Sequence, residues 1–276
     1  MTVANEITSA EARPLPAGRY HFTGAIRSEW IKLRTVRSTV WTLAALIVLT
    51  IGVGVLVTHA DASNWAHLSQ SDRLQFDPTN DSLAGLSLGQ LAIGVLGILV
   101  ITAEHGTGSI RATLSAIPNR PLVLGAKAAV FGVVALLVGE AVCVVSFLAG
   151  QAMVSGKAPP ASFGQPGVAR AVLLAGAFVA LIGLVALGIG TIIRHTAGAI
   201  AIYAVVVFIL PLVIGAFPAS IRTAVEKFLP LDVGRSMGAV HPVAHALSPW
   251  ASLGLLCGYA AVLLGVGCWL LARRDA

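Results

Sequence analysis

Six long apolar runs separated by polar stretches set the pattern of this chain: 40–58, 83–102, 128–152, 171–193, 197–217 and 250–272. Each is close to the ~20 residues a helix needs to cross the hydrocarbon core of a bilayer. The pattern predicts an all-α integral membrane protein with six transmembrane helices. Ahead of the first run, Phe22, Ile26, Trp30, Leu33, Val36 and Val40 recur at three- or four-residue steps, with Arg27, Glu29, Lys32, Arg34 and Arg37 among them. That spacing predicts an amphipathic interfacial helix over 22–37, lying in the headgroup layer and presenting Trp30, Lys32, Arg34 and Arg37 there. Residues 1–20 have no apolar periodicity and are expected to be a disordered cytoplasmic tail, which leaves 21–276 as the membrane domain.

Composition agrees with the runs. Hydrophobic residues make up 57% and charged residues 11%, with mean hydropathy +0.87, against about a quarter charged in ordinary globular domains. A net charge of +6 would suggest nucleic acid in a soluble protein. Here its placement matters more. Arg13, Arg19, Arg27, Lys32, Arg34, Arg37, Arg111, Arg120, Lys127, Arg194, Arg273 and Arg274 fall on one side of the predicted spans, twelve cations against six on the other, Arg73, Lys157, Arg170, Arg222, Lys227 and Arg235. The positive-inside rule then makes both termini cytoplasmic, and nucleic acid is not an expected partner. The very short link Arg194-His195-Thr196 predicts a tight antiparallel hairpin of the fourth and fifth spans. Cys143, Cys257 and Cys268 all lie in apolar runs and are expected to be small core residues.

The stretch Ala103-Glu104-His105-Gly106-Thr107-Gly108-Ser109-Ile110-Arg111-Ala112-Thr113-Leu114 is the longest polar interruption on the predicted inner side. Gly106 and Gly108 permit a tight turn, and Ser109 is positioned to cap a short helix that Pro118 stops. Ile110, Leu114 and Ile117 would line one face and leave Arg111 free for an acidic partner or a lipid phosphate. An ordinary interfacial connector is the plainer alternative. On the other side, Ser220–Phe228 has the spacing of a short amphipathic helix, and Pro230 and Pro242 are expected to break helical structure beyond it. His241, His245 and Asp232 invite a metal, but Pro242 separates the histidines and no third ligand has a clear spacing, so a structured outer cap is expected and no metal.

Within the spans, Glu140 is an acid near mid-run; ionised in hydrocarbon it would cost at least a few kcal/mol. It should be protonated, paired or turned inward, with Gln90 as a candidate hydrogen-bond partner, and it serves either as structural glue or as a residue of a translocation path. Pro211 should kink or interrupt the fifth span. Gly85/Gly89 and Gly254/Gly258 follow the small-xxx-small spacing of close helix contacts, within or between chains. Leu86-Ser87-Leu88-Gly89-Gln90 resembles the signature loop of an ABC ATPase but lies in an apolar run, and the chain has no phosphate-binding loop, metalloprotease helix or nucleophile elbow. Catalytic residues are therefore not expected.

The order of Ser28-Glu29-Trp30-Ile31-Lys32-Leu33-Arg34-Thr35-Val36-Arg37-Ser38-Thr39, six spans, Glu104 followed by Gly108, Ile110 and Arg111 in a loop ending at Pro118, and Arg273-Arg274-Asp275-Ala276 resembles ABC-2 type transporter permeases. The resemblance covers the chain from about residue 25. It implies that 22–37 is the interfacial connecting helix, and that Ile110–Ile117 is a coupling helix seated on a separate ATP-binding subunit. Glu104, Gly108, Ile110, Arg111, Leu114 and Ile117 would carry that coupling, and Ser220–Trp250 would correspond to the family's short re-entrant outer helices. It further implies an exporter of lipid-like, drug or polysaccharide cargo, working with a second permease copy in a homodimer or heterodimer in a bacterial plasma membrane. No cofactor is expected on this chain, ATP and Mg belonging to the partner. Gln90, Glu140 and Pro211 are the candidate translocation-path residues. The competing reading is a stand-alone carrier, or an immunity or assembly factor, that uses Glu140; inverted repeats, which a carrier would more often show, are not visible.

Overall fold

Helices form wherever the apolar runs predict them, and they begin earlier or end later than the runs do. The computed structural model describes residues 22–273 apart from 68, 71, 72, 74, 75, 118 and 242–244; the predicted tail and the stops at Pro118 and Pro242 lie outside the described residues. In order come α1 (Phe22–Thr35), α2 (Arg37–Asn64), a short α3 (Pro78–Leu83), α4 (Leu86–Gly106), α5 (Ser109–Ala116), α6 (Arg120–Val154) and α7 (Val168–Ile193). Then α8 (Thr196–Ala204) runs through a π-helical turn, Val205–Ile209, into α9 (Leu210–Gly215), followed by α10 (Ala219–Glu226), α11 (Pro230–Gly238) and α12 (Pro249–Arg273). All elements among the described residues are helical, and six stretches are long and apolar enough to cross a membrane: Arg37–His67, Pro78–Gly106, Arg120–Val154, Val168–Ile193, Thr196–Gly215 and Pro249–Arg273. The molecule is consistent with a multi-pass membrane protein.

Local chemistry sets the helix ends. Asp77 Oδ1 accepts from Thr79 N and Asn80 N at 3.0 and 3.1 Å, with Pro78 in the first turn of α3. Asn119 Oδ1 accepts from Leu122 N at 3.2 Å to open α6, and His195 Nδ1 accepts from Gly198 N at 3.3 Å to open α8. Arg194 closes α7 in the left-handed region at φ 61°, and its guanidinium donates to Leu270 O at 3.4 Å. Arg120 donates to Leu271 O at 2.9 Å. Two arginines thus serve carbonyls of the last turn of α12, which no helix can satisfy by itself.

The centre of the bundle is α7, with Val172, Ala175, Val179, Ile182, Ala186 and Leu187 wholly enclosed by α4, α6 and α12. In a bilayer the lipid tails are as apolar as leucine, so close backbone approach and interhelical hydrogen bonds hold such a core. A Cβ on Gly97 of α4 would stand 2.4 Å from Gly183 O of α7. Tyr203 of α8 lies against Gly94, and its hydroxyl donates to Gln90 O at 2.8 Å. Ser146 Oγ of α6 donates to Ser82 O at 2.6 Å, and Gln151 Nε2 donates to Pro78 O at 3.0 Å, which ties α3 to α6.

Several expectations are corrected. Gly85 and Gly89 admit the chain's own α2, at Thr50 and Leu49, whereas Gly254 and Gly258 on α12 face nothing within 4 Å. Of the cysteines Cys143 is in the core; Cys257 is exposed and Cys268 half-buried. Pro230 starts a helix instead of breaking one: it opens α11, with Asp232 in the first turn, where the missing N–H costs nothing. At Pro211 the expected interruption takes the form of a π-helical turn, Val205–Ile209, just ahead of the proline, and the span continues to Gly215. Its ring would crowd the carbonyl four residues back, and the chain widens just before it, Leu210 N–H reaching Val205 O across the π-helical turn.

The close approach at Gly97 is testable. Gly97→Ala should destabilise the protein by about 1–3 kcal/mol through overpacking, read by chemical unfolding in detergent, whereas Gly254→Ala, in open space, should leave stability unchanged or slightly raised.

Candidate functional site

At the end of the bundle where α1 meets α4 and α6, four charged side chains lock together. Lys127 of α6 is 1% exposed, and its Nζ donates to Glu29 Oε2 of α1 at 2.7 Å and to Glu104 Oε1 of α4 at 2.6 Å. Lys32 Nζ donates to Glu29 Oε1 and to Glu104 Oε1, both at 2.8 Å. Two carboxylates and two ammoniums give no net charge, which is what removing each of them from water requires. Lys32 is the most open member, 35% exposed, against 7% for Glu29 and 12% for Glu104. Burial alone would lower the Lys32 pKa; hydrogen bonds and charges from Glu104 and Glu29 outweigh it and hold the amine above the usual lysine value of 10.5. Glu104 Oε2 is enclosed and has no hydrogen-bond partner among the described residues.

This arrangement sets which residues of α1 face the bundle. Ala25, Glu29 and Leu33 point into the protein, whereas Trp30 is 47% exposed and Arg34 and Arg37 are exposed as well. The partner of α1 is a helix bundle carrying a buried lysine, so the acid goes inward. Of the predicted interfacial residues, only Lys32 joins the cluster. By sequence Glu29 and Lys127 read as ordinary charges at the membrane edge; the signal pointing further is a lysine set one residue before the apolar run 128–152, which needs a carboxylate once the fold encloses it.

The central loop folds as α5. Gly108 precedes it at φ 71°, a left-handed conformation suited to glycine. Ser109 is therefore the first helical residue and not the cap, its Oγ sharing a hydrogen bond with Thr107 Oγ1 at 3.0 Å. Ile110 is 3% exposed and belongs to the core, Leu114 packs partly against it, and Ile117 is half-buried in extended backbone past the helix end. Arg111, Ala112 and Ser115 are exposed. Lys32 Nζ also approaches Thr113 Oγ1 at 3.5 Å, so the cluster touches α5.

The residues expected along a path are not drawn together in the same way. Gln90 is fully buried, and its Nε2 donates to Ser87 O at 3.0 Å, within its own helix. Glu140 lies instead against Gly176 of α7, where a Cβ would meet its carboxyl carbon at 2.4 Å, and no hydrogen bond joins it to Gln90 among the described residues. Pro211 is half-buried in α9. Among the described residues no three His, Cys, Asp or Glu side chains are grouped where they could hold a metal ion.

The chain matches no protein-family model and no curated protein.

Removing one member of the cluster leaves its partners charged and enclosed. Lys127→Met should destabilise by roughly 3–5 kcal/mol in detergent unfolding, and Glu29→Gln combined with it should cost less than the two single changes added together. The Lys32 contribution is present below its ordinary value of 10.5 and fades as pH rises through the raised folded value. The unfolding midpoint of the unaltered chain should therefore fall more steeply between about pH 9 and about pH 12 than that of Lys32→Met.

Proposed function

We propose that the chain is the membrane permease subunit of an ABC-2 type transporter that exports lipid-like, drug or polysaccharide cargo. The observation that carries this reading is α5: a short helix held to the bundle by Ile110, bearing exposed Arg111, Ala112 and Ser115, and touched by the charge cluster through Lys32. A chain with a docking helix and no nucleotide-binding loop draws its energy from another subunit. A separate ABC-type ATPase, holding ATP and Mg, binds α5 on the cytoplasmic side of a bacterial plasma membrane, where both termini lie. α1 rests in the headgroup layer, and α10 with α11 supplies the short outer helices between the fifth and sixth spans. A second permease copy completes the pathway; closure of the ATPases moves α5 and changes access along the interface between copies.

A stand-alone carrier is favoured by one observation, the half-buried Glu140 whose carboxyl lies against Gly176 with its enclosed Oε2 unpartnered among the described residues. Such an acid suits proton exchange. Glu140→Gln would abolish proton coupling in a carrier and would leave ATP-driven transport running.

The decisive experiment is affinity purification of the tagged chain in mild detergent, with mass spectrometry and an ATPase assay. A stoichiometric ATP-binding protein is expected to copurify and to fall at least about tenfold, roughly 1.4 kcal/mol of binding, in Arg111→Glu. Ile110 belongs to the chain's own core, so its replacement would report on folding instead of docking. A chain that purifies alone, without ATPase activity under several extraction conditions, overturns the permease reading.

A further inference from the structure

The charge cluster forms part of the lining of a cavity of about 410 Å³, within the ~300–1,000 Å³ of small-ligand sites. Leu33, Val36, Leu96, Leu99 and Val100 give it an apolar wall, while Lys32, Ser38, Thr107 and Ser109 line it with polar groups. These polar residues stand at one membrane level: α2 begins at Arg37, α4 ends at Gly106, and Ser109 opens α5. The cavity therefore has the polarity of a lipid, a hydrocarbon surface running into the span and hydrogen-bond donors at its end.

We propose that this cavity holds a resident anionic phospholipid, its phosphate on Lys32 and the neighbouring hydroxyls and one acyl chain along the Leu33, Leu96 and Val100 wall. Lys32 is suited to that role. Two of its three N–H groups go to Glu29 and Glu104 at 2.8 Å, and among the described residues the third has only Thr113 Oγ1 at 3.5 Å, a poor hydrogen bond that a phosphate oxygen would improve on. Glu29, Lys32, Glu104 and Lys127 cancel one another, and the exposed Arg34 and Arg37 on α1 and α2, next in sequence to the lining residues Leu33, Val36 and Ser38, add positive charge. Arginines and lysines at the membrane edge attract anionic heads, and the hydroxyls and the third Lys32 N–H supply donors for the phosphate. The inference rests on the six candidate spans and not on the transport reading, so either can fail alone.

The test uses the full chain, purified in detergent, stripped of lipid and incubated with micelles containing phosphatidylglycerol or phosphatidylcholine. Bound lipid is counted by native mass spectrometry. About one phosphatidylglycerol per chain is expected, retained at least about tenfold better than phosphatidylcholine. Soluble glycerol phosphate should not displace it, because the apolar wall would then be left empty. Ala103→Phe fills the cavity, which Ala103 lines, and should cut retention at least about tenfold. Ser109→Asp sets a carboxylate at the cavity and at the first position of α5, where an acid suits the helix end; retention should fall while the unfolding midpoint holds. Equal retention of the two lipids by the unaltered chain overturns the proposal without reference to any variant. Displacement by glycerol phosphate reassigns the site to a soluble phosphate and overturns the lipid; undiminished binding in folded Ser109→Asp removes the head from this cavity.

Discussion

A lysine ammonium shut away from water must have carboxylates beside it, and Lys127, 1% exposed, has two. Taking each ion out of water costs several kcal/mol, so the gain in stability over an apolar packing is small. The gain in register is large. Glu29 reaches Lys127 only if α1 lies against α6 with Ala25 and Leu33 turned inward, and Glu104 reaches it only if α4 ends at the same level. Lys32 then cancels the second negative charge, and its contact with Thr113 places α5 beside the same group. One buried cation thus fixes three helices at one end of the bundle, and Lys32 adds the contact to a fourth. Slipping α1 or α4 by a turn would strand a charge, an outcome that apolar side chains sliding over one another would not penalise as sharply.

Away from this end, the bundle is held by closeness. Gly97 and Gly183 bring α4 onto α7, Gly139 and Gly176 bring α6 onto it, and hydroxyls on Ser146, Tyr203 and Thr196 bridge what remains. Dispersion between close backbones replaces the hydrophobic effect, which hydrocarbon surroundings largely cancel. The enclosure of α7 is a consequence: helices on three sides leave it little room for large side chains where they cross. At the charged end, Arg120 and Arg194 serve the last carbonyls of α12, so the arginines that the positive-inside count treats as topology signals also close a helix.

The six spans were legible because a helix of about twenty apolar residues in a row is rarely stable anywhere but in a bilayer. Their ends were not, since a run stops at the first charge and a helix need not. α6 starts at Arg120 and not at Ala128 because Arg120 and Lys127 both have acceptors that only the fold supplies. The same blindness hid the role of Glu29: periodicity leaves it among the ordinary charges of α1, whereas Lys127 draws it into the protein. α5 and the exposed Arg111 were readable from the glycines and the apolar spacing, whereas the joining of Glu104 to Glu29, 75 positions earlier in the chain, had no local trace. Gly85/Gly89 and Gly254/Gly258 carry identical spacing, yet one pair is packed and the other open; spacing alone does not say what arrives opposite.

The geometry also determines how a load on α5 would spread. Ile110 is set in the core, while Thr113 meets α1 directly at Lys32. α1 joins α2 through Val36, an extended residue at φ −80° and ψ 123°, so the two helices are not one rigid rod. A push on α5 would therefore reach α4 by packing and α1 through the long Lys32–Thr113 contact, and the extended Val36 separates α1 from α2. Packing resists compression over a few tenths of an ångström, whereas a long hydrogen bond from a lysine side chain is weak and yields more readily. The stiffer route leads into the spans and the more compliant one to the helix at their edge.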